Sequence, residues 1–425
     1  MSTFRSRALA SGLAALAVFP AAAVATPPEV PSGVSTSSMY SPPSSSIPGT
    51  PGSVVWWRTM PATDEANLGS LSGSARPNAT AKRVIYRSVA IDGTANVDSA
   101  TVFTPAGAPP AGGWKVVSWN HVTTGGADLC APSRATANLP GTSTANPEYE
   151  RLTRSDELIA GLLNRGLVVV RVDYEGIGTP GPHPYLIDRS LARTNVNAVR
   201  ATRELVPSTT TEWAVAGQSE GGIAALSTSK YAPTYAPELT LKATLSATPP
   251  VDNKTLVFEV GTLLPFGSGL SSMGGLMLNG ARLASPALGA AYPSYLTSEG
   301  ATRMGDLESL CLAQLGAGSS LGGLSFAQIY GPTASQYKAA LYAELDRNDP
   351  RFIDLGSEPI RFYAGSLDGV AWQSKINDVV DLQKAAHPHP EKVTYKTYLF
   401  GTHVNITDNA QGGVDMANWL KAQLG

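Results

Sequence analysis

Apolar runs and their spacing divide this chain into short strands alternating with helices. Residues 84–88 (Val-Ile-Tyr-Arg-Ser) and 97–103 have strand composition, and Asp92-Gly93 between them is a hairpin-type turn signal. Residues 115–119 (Lys-Val-Val-Ser-Trp) and 167–172 (Leu-Val-Val-Val-Arg-Val) read as further strands. The second is nearly all apolar and β-branched, as expected of a strand covered on both faces. Residues 157–163 between them have helical composition, and 190–205 place Ala192, Val196 and Val199 at helical spacing. Strand-like runs recur at 214–216, 243–247, 360–364 and 393–399, with helical patterns at about 372–386 and at 414–424. Such alternation after an opening hairpin predicts an α/β fold, a mostly parallel sheet with helices on both faces.

The alternation breaks at residues 251–350, which hold 14 of the 42 glycines, scattered Leu, Met and Phe, and no clear strand. This interval reads as an inserted cap of short helices. Its apolar stretch 262–278 is a poor membrane span because Pro265 and many glycines and serines interrupt it. At the other end, Arg5 and Arg7, an apolar region over 8–24 and Ala23-Val24-Ala25 have the form of a secretory leader cleaved after Ala25. The Pro-, Ser- and Gly-rich residues 26–52 read as a tether or extended arm. The expected organisation is a leader (1–25), an arm (26–52), a core (53–250 and 351–425) and the cap (251–350).

Composition adds three points. The chain is 43% hydrophobic and 15% charged, which is globular composition. Removing Arg5 and Arg7 takes the formal charge from -2 to -4, and no basic patch points to nucleic acid. Cys130 and Cys311 are consistent with one disulfide in an oxidising compartment, two unrelated buried thiols being the alternative that export disfavours. Asn78-Ala-Thr80, Asn253-Lys-Thr255 and Asn405-Ile-Thr407 match the glycosylation acceptor pattern and carry no functional weight here.

The chemistry centres on Gly217-x-Ser219-x-Gly221, which follows the apolar run Ala214-Val215-Ala216 and precedes a helix-compatible stretch. Strand, sharp turn and helix with a serine at the apex describe a nucleophile elbow, whose flanking glycines leave room for the packing behind it. A serine needs a base, and the base needs an acid to fix its tautomer, in chain order Ser, acid, His. His387 and His389 alternate with prolines in what reads as an exposed loop, whereas His403 follows the strand ending near Leu399. Catalytic groups of open α/β sheets gather at such strand ends, so His403 is the expected base. Asp368 lies in the turn after strand 360–364 and is the expected acid; Asp354 precedes that strand, and Asp378 and Asp381 fall within a helical pattern. One oxyanion donor is expected at the backbone N–H of Glu220 and another in the turn-forming stretch after strand 115–119, where His121 reads as a shaping residue.

Taken together, His121-x-Thr-Thr-Gly125, Cys130-Ala-Pro-Ser133, the segment from Asp173-Tyr-Glu-Gly through Pro-His-Pro-Tyr185, the elbow and the late Asp and His resemble the secretory lipases of the fungal lipase A type and their bacterial relatives. The resemblance covers most of the chain after the leader. It implies an α/β-hydrolase fold with a helical cap, a Ser219–Asp368–His403 triad, oxyanion donors at Thr124 and Glu220, and pairing of Cys130 with Cys311. It also implies that residues 174–185 run near the pocket mouth. The elbow differs from the common family form in carrying Glu220 where a neutral residue is usual, leaving two readings: a solvated carboxylate, or one that disfavours anionic acyl groups.

The expected protein is a secreted serine carboxylic-ester hydrolase, an esterase or lipase, with no metal and no cofactor. Its expected partners are ester or lipid substrates, with transient contact at lipid interfaces. A peptidase, amidase or acyltransferase using the same triad is the runner-up, and a non-catalytic binding protein on this fold is the reading from a different class.

Overall fold

Nine strands form one sheet in a computed structural model that describes residues 26–47, 49–60, 79–134 and 155–425. The leader expected at 1–25 and the first acceptor asparagine, Asn78, lie outside the described residues. The strands are β1 (Val54–Thr59), β2 (Ala79–Val89), β3 (Ala95–Pro105), β4 (Trp114–Asn120), β5 (Leu167–Val172), β6 (Thr209–Gln218), β7 (Thr240–Ala247), β8 (Ile360–Gly365) and β9 (Val393–Tyr398). Their spatial order is β1-β2-β3-β5-β4-β6-β7-β8-β9. β1, β2 and β3 form an antiparallel meander, β3 meets β5 antiparallel, and every pair from β5 to β9 is parallel. The Asp92-Gly93 turn does join β2 to β3, with Val84 opposite Ala100. β1 was not legible in the sequence, and β6 begins well before the Ala214 run.

Parallel strands need crossovers, and the crossover helices cover both faces. Val117 and Val169 point to the face covered by α1 (Asp156–Leu163) and the last helix of the chain, packing with Leu158, Leu162, Met416 and Leu420. Their neighbours Val116, Val168 and Val170 point the other way and meet Val196, Val199 and Ala225 of α2 (Asp188–Leu205) and α3 (Glu220–Tyr235). This two-sided burial is the physical reason for the continuous apolar run in β5.

The chain passes from β4 to β5 on one side and then returns through α2 to β6 on the other. The resulting crevice at the C-terminal ends of β4 and β6 is the place where open α/β sheets bind ligands. Beyond it, residues between β7 and β8 form helices and turns, the longest being α4 (Gly269–Ala284) and α5 (Lys338–Arg347). Their apolar side chains build a second cluster that reaches Tyr174, Tyr185 and Ile223 on the sheet side. After β8 come α6 (Gln373–Ala386), leading to β9, and the C-terminal α7 (Gly413–Leu424). Among the described residues no helix is long and apolar enough to cross a membrane. The arm lies against the sheet, with Met39 and Tyr40 fully buried and the Tyr40 hydroxyl 2.9 Å from Ser133 Oγ.

Cys130 and Cys311 form a disulfide with Cα atoms 5.5 Å apart, closing a sequence separation of 181. Beside it, Leu312 N donates to the Thr124 carbonyl at 2.8 Å. The helical segment is thereby fastened to the loop after β4. Constraining so long a loop in the unfolded chain stabilises by about 5 kcal/mol in the entropy model. We predict that replacing both cysteines by alanine lowers the unfolding free energy by about 2–5 kcal/mol in urea titration. A change below about 1 kcal/mol would show that the segment is held without the bond.

Candidate active site

The elbow forms because three backbones meet there without side chains between them. An added Cβ on Gly217 would stand 2.1 Å from the Gly221 carbonyl oxygen, and one on Gly221 would stand 2.1 Å from the Asn120 carbonyl oxygen. Ser219 itself has φ 58° and ψ -119°, a conformation that costs a non-glycine residue on the order of 1–3 kcal/mol. The surroundings enforce it. Ser219 N donates to Ala247 O at 2.9 Å on β7, and Gly222 N donates back to Ser219 O at 2.8 Å. Below the turn, Asn120 and Asn195 exchange amide hydrogen bonds at 2.8 Å, and Asn120 also donates to Ala216 O at 3.2 Å, locking β4 to α2 and β6.

The three residues expected to act together are brought together. His403 Nε2 lies 2.8 Å from Ser219 Oγ, and His403 Nδ1 lies 2.9 Å from Asp368 Oδ2. A carboxylate accepts, so Nδ1 carries the proton and Nε2 is left to accept from the serine hydroxyl. The other Asp368 oxygen accepts from Val370 N at 2.8 Å and Ala371 N at 2.7 Å, which fixes the carboxylate plane. β8 and β9 are neighbours in the sheet, and Leu367 N donates to Gly401 O at 2.9 Å, so the two loops carrying acid and base are tied directly. Gln218, beside the serine, donates to the His403 carbonyl at 2.6 Å and anchors the loop after β9 to the elbow.

Ser219 and His403 open onto a cavity of about 450 Å³, walled by Val122, Leu270, Met273, Leu312 and Val370, with Thr123, Ser272, Gly269 and Gly316 at its margin. The wall is predominantly apolar, with Ser219, His403, Thr123 and Ser272 as its polar side chains. Among the described residues no group of three His, Cys, Asp or Glu side chains is placed to hold a metal ion.

Glu220 N–H is the first amide of α3 and has no acceptor within the helix. Thr124 is fully buried behind Thr123; its carbonyl accepts from Leu312 N, and its hydroxyl has no partner among the described residues. Thr123, which lines the cavity, pairs its hydroxyl with Tyr185 Oη at 2.9 Å.

Several sequence readings change. Glu220 is not solvated: it is fully buried, with Oε1 3.0 Å from His183 Nε2. Residues 174–185 run beneath the loop after β4: Tyr174, His183 and Tyr185 are buried there, the Tyr174 hydroxyl donates to the His121 carbonyl at 2.6 Å, and Tyr185 Oη meets Thr123 of the cavity lining. His387 is buried rather than exposed, its Nδ1 accepting from His389 N at 2.9 Å. His121 shapes the loop as read: its Nδ1 donates to the Val122 carbonyl at 2.5 Å. Burial foremost, together with Arg171 and His183 nearby, holds its ring at about 3, well below the usual imidazole value, against the opposing Val122 hydrogen bond. It is therefore neutral. His183 received no role from the sequence, where its one signal was a histidine flanked by prolines just before a buried tyrosine.

The sequence model of the secretory lipase family matches residues 149–324. Lipase 7 of Candida albicans is 29% identical over 218 residues, which is 50% of this chain and 46% of the yeast protein, so the chain aligns with about half the length of that relative. Candida antarctica lipase A in its closed state superposes with a TM-score of 0.68 at 20% identity, covering 91% of this chain and 84% of that one. The rice cell wall degrading esterase LipA from Xanthomonas oryzae gives 0.67 at 15% identity, over 88% of this chain and all (100%) of that one.

If the elbow depends on the two close approaches, Gly221→Ala should lower the urea midpoint by the equivalent of about 3 kcal/mol or more, or prevent folding. Gly305→Ala, where an added Cβ meets nothing within 4 Å, should stay within about 0.5 kcal/mol. Equal midpoints for both variants would contradict this account of the turn. The α/β-hydrolase fold is thus shared with lipase A, and over residues 149–324 the chain resembles the secretory lipases.

Proposed function

We propose that this chain is a secreted serine carboxylic-ester hydrolase, an esterase or lipase, in which Ser219, His403 and Asp368 form the catalytic triad. The observation that carries the reading is the continuous hydrogen-bonded line from Ser219 Oγ through both His403 nitrogens to Asp368, at 2.8 and 2.9 Å, opening onto an apolar cavity. In the proposed reaction Ser219 Oγ attacks the ester carbonyl carbon while His403 Nε2 takes the hydroxyl proton. Asp368 stabilises the imidazolium and holds its orientation. The charge on the carbonyl oxygen is met by Glu220 N–H and by the loop at Thr124. His403 then protonates the departing alcohol, and water repeats the sequence to release the acid and restore the serine.

The substrate side of the reading rests on apolar surface. The cavity wall suits an acyl chain, and Leu263, Phe266, Leu367, Val370, Leu399 and Phe400 are exposed, the last four on the loops after β8 and β9 that also carry Asp368 and His403. Val370 also lines the cavity, and exposed apolar residues on the loops that carry the proposed acid and base support transient contact with a lipid interface. Export, to the cell exterior or the periplasm, is supported by the leader-like first 25 residues, the disulfide and the secretory lipase match.

The test is hydrolysis of nitrophenyl esters from acetate to palmitate beside a Ser219→Ala control. Activity should fall about 10⁴-fold or more in the control. A maximum at long chains makes the enzyme a lipase, and a maximum at short chains makes it an esterase. No hydrolysis of any ester by folded protein, or equal hydrolysis by the control, would remove the reading.

A further inference from the structure

The residue after Ser219 carries a side chain that the proposed reaction does not use. Glu220 is fully buried, and its Oε1 lies 3.0 Å from Nε2 of His183, whose side chain is 1% exposed. The other ring nitrogen, His183 Nδ1, lies 2.8 Å from the backbone carbonyl of Glu175. A carbonyl oxygen only accepts, so Nδ1 bears a proton. Nε2 and the carboxyl then share one proton, whichever atom carries it. Either arrangement, neutral imidazole with carboxylic acid or imidazolium with carboxylate, has no net charge.

His183 is placed to be the counter-group on which Glu220 depends. The second carboxyl oxygen, Oε2, is buried with no hydrogen-bond partner among the described residues. Tyr174 and Tyr185 flank the imidazole with ring centroids 5.8 and 5.9 Å away, and His121 lies against Tyr174 at 4.5 Å. The other charged groups on this side are the Glu175 carboxyl, bonded to Ile91 N and the Ser190 hydroxyl, Asp173, bonded to the hydroxyls of Ser99 and Ser133, and the guanidinium groups of Arg171 and Arg193, which donate to the carbonyls of Pro132 and Ala90. Among the described residues His183 is the group that meets the Glu220 carboxyl directly, at 3.0 Å.

The Glu220 carboxyl hangs from the residue whose N–H is the assigned oxyanion donor. A lone carboxylate there would oppose the negative charge that develops on the ester oxygen, in a buried setting that screens repulsion poorly. We propose that His183 is a positioning residue of the hydrolytic site: by holding a proton against the Glu220 carboxyl it keeps the region beside the oxyanion free of net charge and fixes the first turn of α3. The inference rests on the assignment of Ser219 as nucleophile and Glu220 N–H as donor.

The experiment compares His183→Ala with and without Glu220→Gln on a nitrophenyl ester, each variant first shown to be folded by circular dichroism. A glutamine amide can donate to a neutral Nε2 without adding charge. His183→Ala alone should lower kcat about 10- to 100-fold with KM within about threefold, because the repulsion acts on the transition state. In the Glu220→Gln background the same substitution should lower kcat less than about threefold, since no charge remains to offset. Equal losses in both backgrounds would assign His183 a packing role and overturn the proposal, as would undiminished kcat in folded His183→Ala. Nitrogen-15 NMR of the unsubstituted protein reads the proton independently of activity and of variant folding, the His183 signal being the one displaced by Glu220→Gln. Protonated Nδ1 throughout the folded pH range supports the proposal, and unprotonated Nδ1 overturns it. Absence of ester hydrolysis by the unsubstituted protein would instead strike the function reading, with the nitrogen spectrum still deciding where the proton lies.

Discussion

Contact between bare backbones at the end of the sheet is the constraint on which the site depends. Gly221 rests on the Asn120 carbonyl and Gly217 on Gly221, so β4, β6 and α3 approach more closely than any side chain would allow. That approach forces Ser219 into its positive φ and lifts its hydroxyl clear of the sheet. The strain is held by ordinary means: ladder hydrogen bonds to β7, the paired amides of Asn120 and Asn195, and apolar burial on both faces of β4 and β6. Geometry at the apex therefore rests on the stability of the whole sheet.

The remaining parts of the proposed triad are delivered by adjacency. β7, β8 and β9 are parallel neighbours, so the loops leaving β8 and β9 emerge beside the elbow and need only short cross-links to bring Asp368 and His403 into line. On the opposite side, the disulfide and the Leu312–Thr124 hydrogen bond clamp the segment between β7 and β8 onto the loop after β4. Leu312 and Gly316, next to this clamp, form a fixed wall of the cavity. Leu263 and Phe266, by contrast, project from the same segment into solvent.

What could be read from the sequence was whatever local chemistry dictates. Glycines two positions either side of Ser219 announce a close approach, and the chain order of Asp368 and His403 after strand-like runs puts both at the same sheet edge. The parts that were not legible depend on distant partners. Glu220 leaves two readings open in the sequence, solvated or facing the acyl group, because neither shows the buried partner it meets, His183, 37 residues away. Tyr40 sits in a Pro- and Ser-rich arm whose composition gives no sign of a core residue, yet its hydroxyl meets Ser133 across the sheet. β1 has strand-forming valines and tryptophans, but it is a short strand that directly follows the Pro- and Gly-rich arm, where no element is expected. His387 opens a run of alternating histidines and prolines that suggests exposure, but it packs at the end of α6.

The central claim is that Ser219 is a nucleophile activated by His403. It is tested most directly by treating the folded protein with a fluorophosphonate, which phosphonylates an activated serine, and locating the adduct by peptide mass spectrometry. The account predicts one adduct per chain, on Ser219, formed at least about 100-fold more slowly in His403→Ala. An adduct on another residue, or labelling of Ser219 at an unchanged rate without His403, would contradict it.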